Sequence, residues 1–191
     1  MTTTITGASV STATVAATTS VTTDLIQYDT AKNEAGGFTK QQVVQVVNVT
    51  TGAYATTSTT IPNDDTIPQI TEGSEFMTLA ITPKSATNVL RIDVVGNWGE
   101  NTNTGDVLTV ALFQDSTANA LACMNNKMPT LNQGGNSIAF SHYMVAGTAS
   151  ATTFRVRAGN NAGALNFNGW TSGRKMGGVI ASSITITEYT P

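Results

Sequence analysis

The chain has 191 residues, of which 40% are hydrophobic and 11% charged, and its formal net charge is −3. That length holds one domain of ordinary size plus a tail, and the charged fraction is well under the roughly 25% of an average soluble domain. No run of about 18 apolar residues is present to form a membrane-spanning helix, the start MTTTITGASV lacks the basic and apolar regions of a secretory leader, and the net negative charge argues against nucleic acid as a general partner.

The cysteine and histidine content narrows the chemistry. Cys123 is the only Cys, so no intrachain disulfide framework and no Cys-based zinc site can form. His142 is the only His, which excludes a His-rich metal site. No cofactor is expected. What replaces charge is 35 Thr, 13 Ser, 16 Asn and 17 Gly. Thr is β-branched and favours strands. Asn and Gly supply the positive φ angles of tight turns. The composition predicts an all-β protein with many turns.

Residues 1–40 differ from the rest. Ten of the first 23 are Thr, and no large aromatic precedes Tyr28. Composition alone reads as a disordered tail. The Thr, Val and Ala content also suits strand addition to a neighbour's sheet edge. On that reading residues 1–40 form an extended N-terminal arm that docks through Thr4, Ile5, Val10, Val15 and Val21. The stretch AKNEAGG, Ala31 to Gly37, then serves as a turn or hinge into a body at 41–191.

The body reads as strand, turn, strand. Strands are predicted at Gln41–Val49, Tyr54–Ile61, Glu75–Ile81, Val89–Trp98, Val107–Gln114, Asn119–Met124, Ser137–Ala146, Thr152–Gly159, Ala164–Phe167 and Val179–Tyr189. Val89–Trp98 alternates, with Leu90, Ile92 and Val94 on one face and Arg91 and Asp93 on the other. Thr152–Gly159 places Phe154 and Val156 inward and Arg155 and Arg157 outward. Period 2 marks a half-buried strand. The segments 62–74, 99–105 and 125–136 lack periodicity and read as loops. No stretch carries a 3.6-residue apolar repeat. The expected architecture is an antiparallel β-sandwich of jelly-roll type.

Charge shifts sign along the body, from a net −6 over residues 41–120 to +4 over 121–191. One reading is cross-strand pairing within the chain, with Arg155 or Arg157 near Asp93. The other is a contact in which the acidic side of one subunit meets the basic side of another.

Catalytic templates find little. His142 sits mid-strand, and no Gly-x-Ser-x-Gly elbow exists. Asp64, Asp65, Glu72 and Glu75 cluster in one segment and could supply a glycosidase pair. Acids in a Pro-bounded loop more often satisfy turn backbones, and their spacing matches no calcium loop. Cys123 reads as a buried small hydrophobe. What remains is a recognition surface. Trp98 and Trp170 lie in the Gly- and Asn-rich contexts GNWGEN and NGWTSG, with Asn101, Asn103, Asn160, Asn161 and Asn168 nearby. Phe167 and Tyr143 are further candidates. Loop aromatics stack on sugar faces or anchor protein contacts. Alternatively, each Trp plugs an end of the sandwich, and the Asn residues are turn formers.

The phrases TIPNDDTIPQITEGSEFMTLAITPKSATNVLRIDVV, LTVALFQDSTANALA, TTFRVRAG and GGVIASSITITEY occur in that order. Together they resemble a C-terminal module of tailed-bacteriophage virion proteins of the fibre or receptor-binding type. The resemblance runs from about Gln41 to Tyr189. It implies a β-sandwich that forms a homotrimer, is fastened to other virion proteins by its N-terminal segment, and binds a host surface glycan or protein. The family has no fixed catalytic motif, and its receptor loops vary, so no site residue follows from it. The chain lacks the long shaft of a typical fibre. The expectation is a non-enzymatic short fibre of the extracellular virion, or a capsid decoration protein without a receptor role. A glycan-degrading enzyme is the third reading.

Overall fold

The computed structural model describes residues 41–100, 106–128, 135–171 and 173–191. The expected docking residues Thr4, Ile5, Val10, Val15 and Val21, the expected hinge at Ala31–Gly37, and the candidates Asn101 and Asn103 lie outside the described residues.

The described residues form twelve strands in chain order: β1 (Val43–Thr51), β2 (Ala55–Thr57), β3 (Ser74–Ile81), β4 (Val89–Glu100), β5 (Val107–Gln114), β6 (Ala122–Lys127), β7 (Gly135–Val145), β8 (Thr152–Asn160), β9 (Leu165–Phe167), β10 (Gly169–Trp170), β11 (Gly173–Arg174) and β12 (Ser182–Tyr189). A 3-10 turn, Met176–Gly178, precedes β12. All pairings among the named strands are antiparallel.

Eight long strands form two sheets. One runs β1-β12-β4-β7, and the other β3-β8-β5-β6. This is the order that the two Greek keys of a jelly roll produce, so the chain is an all-β, jelly-roll-like sandwich. The short strand β9 takes over from β12 along one side of β4, at Trp98 to Glu100, and β2 pairs outside it.

The alternation read in the sequence decides which side chains meet. Leu90, Ile92 and Val94 of β4 face Ile184 and Ile186 of β12 and are buried with Leu108, Val110 and Leu112 of β5 and Phe154 and Val156 of β8. Phe76, Trp98 and Phe167 fill one end of this core, their ring centroids 4.8–5.0 Å apart. Arg91 and Asp93 lie on the outer face and pair with each other at 2.9 Å. Arg155 pairs with Glu75 at 3.1 Å. Arg157 donates to the carbonyls of Glu72 and Gly73 at 2.9 and 2.7 Å. The expected pairing of Arg155 or Arg157 with Asp93 is therefore corrected, because β8 and β4 belong to different sheets.

Other boundaries move for identifiable reasons. Tyr54–Ile61 is a strand only over Ala55–Thr57, because the chain then leaves its sheet. Ile61 donates its N–H to Asn160 and Gly73 to Thr60, at 3.2 and 2.9 Å. Further on, Ile70 bonds Ala118 and Ala120 bonds Pro68. The segment thus crosses the outside of the second sheet, where the outward residues Thr109, Ala111 and Phe113 of β5 are buried too. The strand β6 lies three residues later than expected, over ACMNNK. Among the described residues it is an edge strand, paired with β5 alone, so its polar residues stay solvated. Cys123 is consequently exposed and not a buried hydrophobe.

One buried carboxylate ties the chain ends of several strands together. Glu188 of β12 is fully buried, and its carboxylate accepts from Gln45 Nε2 at 2.5 Å, Lys84 N at 2.8 Å and Asn88 Nδ2 at 2.5 Å. Burial pushes its pKa up, but these donors outweigh burial and hold the carboxyl below the ordinary glutamate value of 4.5. The unfolded chain therefore takes up a proton at higher pH than the native one, and stability falls as pH drops from about 4.5 through the native value. Glu188→Gln should cost roughly 1.5–3 kcal/mol at pH 7 and flatten the acid limb of a Tm-against-pH curve. A variant with the parent's acid limb would refute the assignment. Trp98→Ala should cost about 3–5 kcal/mol in chemical denaturation through the cavity it leaves.

Candidate functional site

The strand directions sort the connections to two ends. Val43, Tyr189, Val89 and Val145 are cross-strand neighbours at one end of the first sheet. The body begins there at Gln41, and Thr190 N donates to Gln42 O at 3.0 Å. The opposite end receives the close of β4 at Glu100, the start of β5 at Val107, the close of β6 at Lys127, the start of β7 at Gly135 and the whole segment from Asn161 to Ala181. The twelve residues of β4 separate the two ends by about 40 Å at roughly 3.3 Å per residue. The candidates Asn161 and Trp170 lie at this far end, and the flanks of residues 101–105 converge on it.

Trp98 does not belong to the surface there. It is fully buried inside β4, which corrects its assignment as a contact residue. The neighbouring glycines suggested a loop. In the structure they make room within a strand, since a Cβ on Gly96 would stand 2.5 Å from Trp98 Nε1. Phe167 is buried with it. Tyr143 is exposed, but on the outer face of the first sheet and not at the far end.

Trp170 is half-buried on the small hairpin of β10 and β11, where Gly169 pairs with Arg174 and Trp170 with Gly173. Lys175 Nζ lies 5.7 Å from the Trp170 ring centroid. The hairpin and the 3-10 turn after it expose Arg174, Met176 and Val179. The segment holds several residues at positive φ, among them Asn168 at 54°, Thr171 at 51° and Met176 at 49°. Non-glycine residues reach that region only where their surroundings hold them.

Asn168 is held in this way. It is buried, and its Nδ2 donates to Thr51 O and Ala53 O at 2.9 and 3.0 Å, while Oδ1 accepts from Ser182 Oγ at 2.7 Å. Asn166 accepts from Tyr54 Oη at 2.7 Å. Asn160 is buried. These asparagines build the end of the sandwich and do not face outward. Asn161 is exposed, and its Oδ1 accepts from Val107 N at 2.6 Å, which leaves its amide NH2 turned to other partners. The far end thus presents a half-exposed indole, an exposed carboxamide and two cations, Arg174 and Lys175. Such a surface can stack against a sugar face or a planar group and donate hydrogen bonds to hydroxyl or carboxylate oxygens.

The acidic cluster is occupied locally. Asp64 Oδ1 accepts from Thr66 N at 2.9 Å, Glu72 Oε2 accepts from Gln69 N at 2.9 Å, and Glu75 is paired with Arg155. Asp64 and Asp65 line a shallow groove against Ala120–Cys123. His142 is half-buried on β7 opposite Ile92, and burial holds its imidazole below the ordinary range. Among the described residues no group of three or more His, Cys, Asp or Glu is placed to hold a metal ion, and no helix is long and apolar enough to cross a membrane.

No family model and no curated protein matches this chain. Among solved structures, the chain is similar to the EclA C-terminal domain, described as a sugar-binding protein, at 16% identity and a TM-score of 0.33 over 66% of this chain and 76% of that one. It is similar to Eiger TNF from S. frugiperda at 13% identity and a TM-score of 0.40, over 75% of this chain and 92% of that one. A structure of infectious bursal disease virus, Gt strain, gives 13% identity and a TM-score of 0.41, over 76% of this chain and 37% of that one. Likenesses at this level carry no functional assignment.

Proposed function

We propose that the chain is a structural and adhesive protein of a bacteriophage virion, a short homotrimeric tail fibre. Residues 1–40 attach it to other virion proteins, and the far end of the sandwich binds a host surface glycan or protein. The observation that carries this reading is the opposition of the two ends. The 40 residues that precede the body join it at Gln41, and Asn161 and the hairpin that carries Trp170 lie about 40 Å away along β4. A module fastened at one end and presenting an aromatic platform at the other suits adhesion. The resemblance of the ordered sequence phrases to those of phage fibre proteins supports the same reading. Weak single sites become strong when three subunits and many fibres engage together.

A capsid decoration protein is the second reading, favoured by the same attachment geometry without a receptor. The two part on binding. The labelled full chain should bind a bacterial surface-glycan array saturably, and Trp170→Ala should weaken that binding about tenfold or more while leaving the Tm nearly unchanged. Removal of residues 2–40 should abolish attachment to particles and spare glycan binding. Attachment without any glycan or cell binding would favour decoration, and absence of both would end the proposal.

A further inference from the structure

The outer face of the β1-β12-β4-β7 sheet departs from the pattern of a water-facing sheet. An antiparallel sheet with one solvated face normally turns polar residues outward. Here the register lines Val43, Tyr189, Val89 and Val145 across all four strands in one row. The next row is Val46, Thr187, Arg91 and Tyr143. Beyond it the rows turn polar or small, with Asn48, Thr185, Asp93 and Ser141 and then Thr50, Ser183, Val95 and Ala139. Val43, Val46, Tyr143 and Val145 are each 55–58% exposed. Together with Val95 they make five of the ten exposed large apolar side chains among the described residues, gathered on one face. The outer face of the other sheet is crossed by the segment between β2 and β3 and holds the Glu75–Arg155 pair.

Charge on this face selects its occupant. Its formal charges are Arg91 and Asp93, bonded to each other at 2.9 Å, with Arg91 also 5.7 Å from the Tyr143 ring centroid. Ser141 donates to the same Asp93 oxygen. The face is therefore neutral and its charges are already satisfied. It offers nothing to a strongly charged partner, and copies of it can pack around a common symmetry axis without like-charge repulsion. Depletion of unpaired charge around an aromatic and aliphatic centre is the composition of a protein–protein contact.

We propose that copies of this chain associate through the apolar end of this face, burying Val43, Val46, Val89, Tyr143, Val145 and Tyr189. The inference deepens the self-association in the proposed function by naming where subunits meet, and it is independent of glycan binding.

The test is the mass of the full chain by sedimentation at micromolar concentration. The expected result is a trimer for the parent. Val46→Glu combined with Val145→Glu should raise the dissociation constant at least about a hundredfold, two successive tenfold losses. Val179→Glu and Ile67→Glu, exposed apolar positions elsewhere, should leave it unchanged. Circular dichroism identifies any variant that does not fold. Hydroxyl-radical labelling of the unaltered chain gives a second reading: Tyr143 should become protected as concentration rises, and Met176 should not. An oligomer that persists in the double variant, or Tyr143 labelling independent of concentration in an oligomeric sample, overturns this face and leaves self-association standing. A monomeric parent overturns both.

Discussion

The two-sided commitment of β4 is the constraint on which the rest of the molecule depends. Its even-numbered residues Leu90, Ile92 and Val94 are in the core, and its odd-numbered residues Arg91, Asp93 and Val95 are outside. It is paired along both edges, with β12 and β9 on one side and β7 on the other. A slip of one residue against either neighbour would drive a cation and an anion into the apolar interior. The register is thus specified by burial, and the cross-strand rows on both faces follow from it. The stack of Phe76, Trp98 and Phe167 extends the same strand's inward face to the far end.

Much of this was legible because alternation is a strong signal where one face is buried. β4, β5 and β8 fall within two residues of where the pattern of apolar and polar side chains puts them, and Phe154 and Val156 lie inside as their spacing implies. The failures have physical causes. In Gly96-Asn97-Trp98-Gly99 the glycines look like turn formers, whereas here they admit a large indole into a strand. Asn125, Asn126 and Lys127 of β6 carry no apolar pattern because an edge strand needs backbone pairing and little burial. Glu188 gave no local signal at all, since its partners Gln45, Lys84 and Asn88 are distant in sequence.

The candidate site was legible in part for the same reasons. Asparagine in a Gly-rich segment is equally a turn former and a ligand contact, and only three-dimensional partners separate the two. Asn168 uses its whole amide on Thr51, Ala53 and Ser182, so it is a strut between the first strand and the last. Asn161 engages one oxygen and stays exposed. Of the two tryptophans in similar contexts, one stands in a long strand paired on both sides, and the other sits on a two-residue strand of a marginal hairpin. Strand length, not local composition, separates them.

The segregation of connections to opposite ends has an evolutionary corollary. A loop pays only about 0.6 kcal/mol of extra closure entropy for each doubling of its length. The segments after β4, β6 and β8 can therefore lengthen, shorten or diversify while the registers of the eight long strands remain as they are. Lineages that share this body can vary those few connecting peptides at one end while the two sheets keep their strand order.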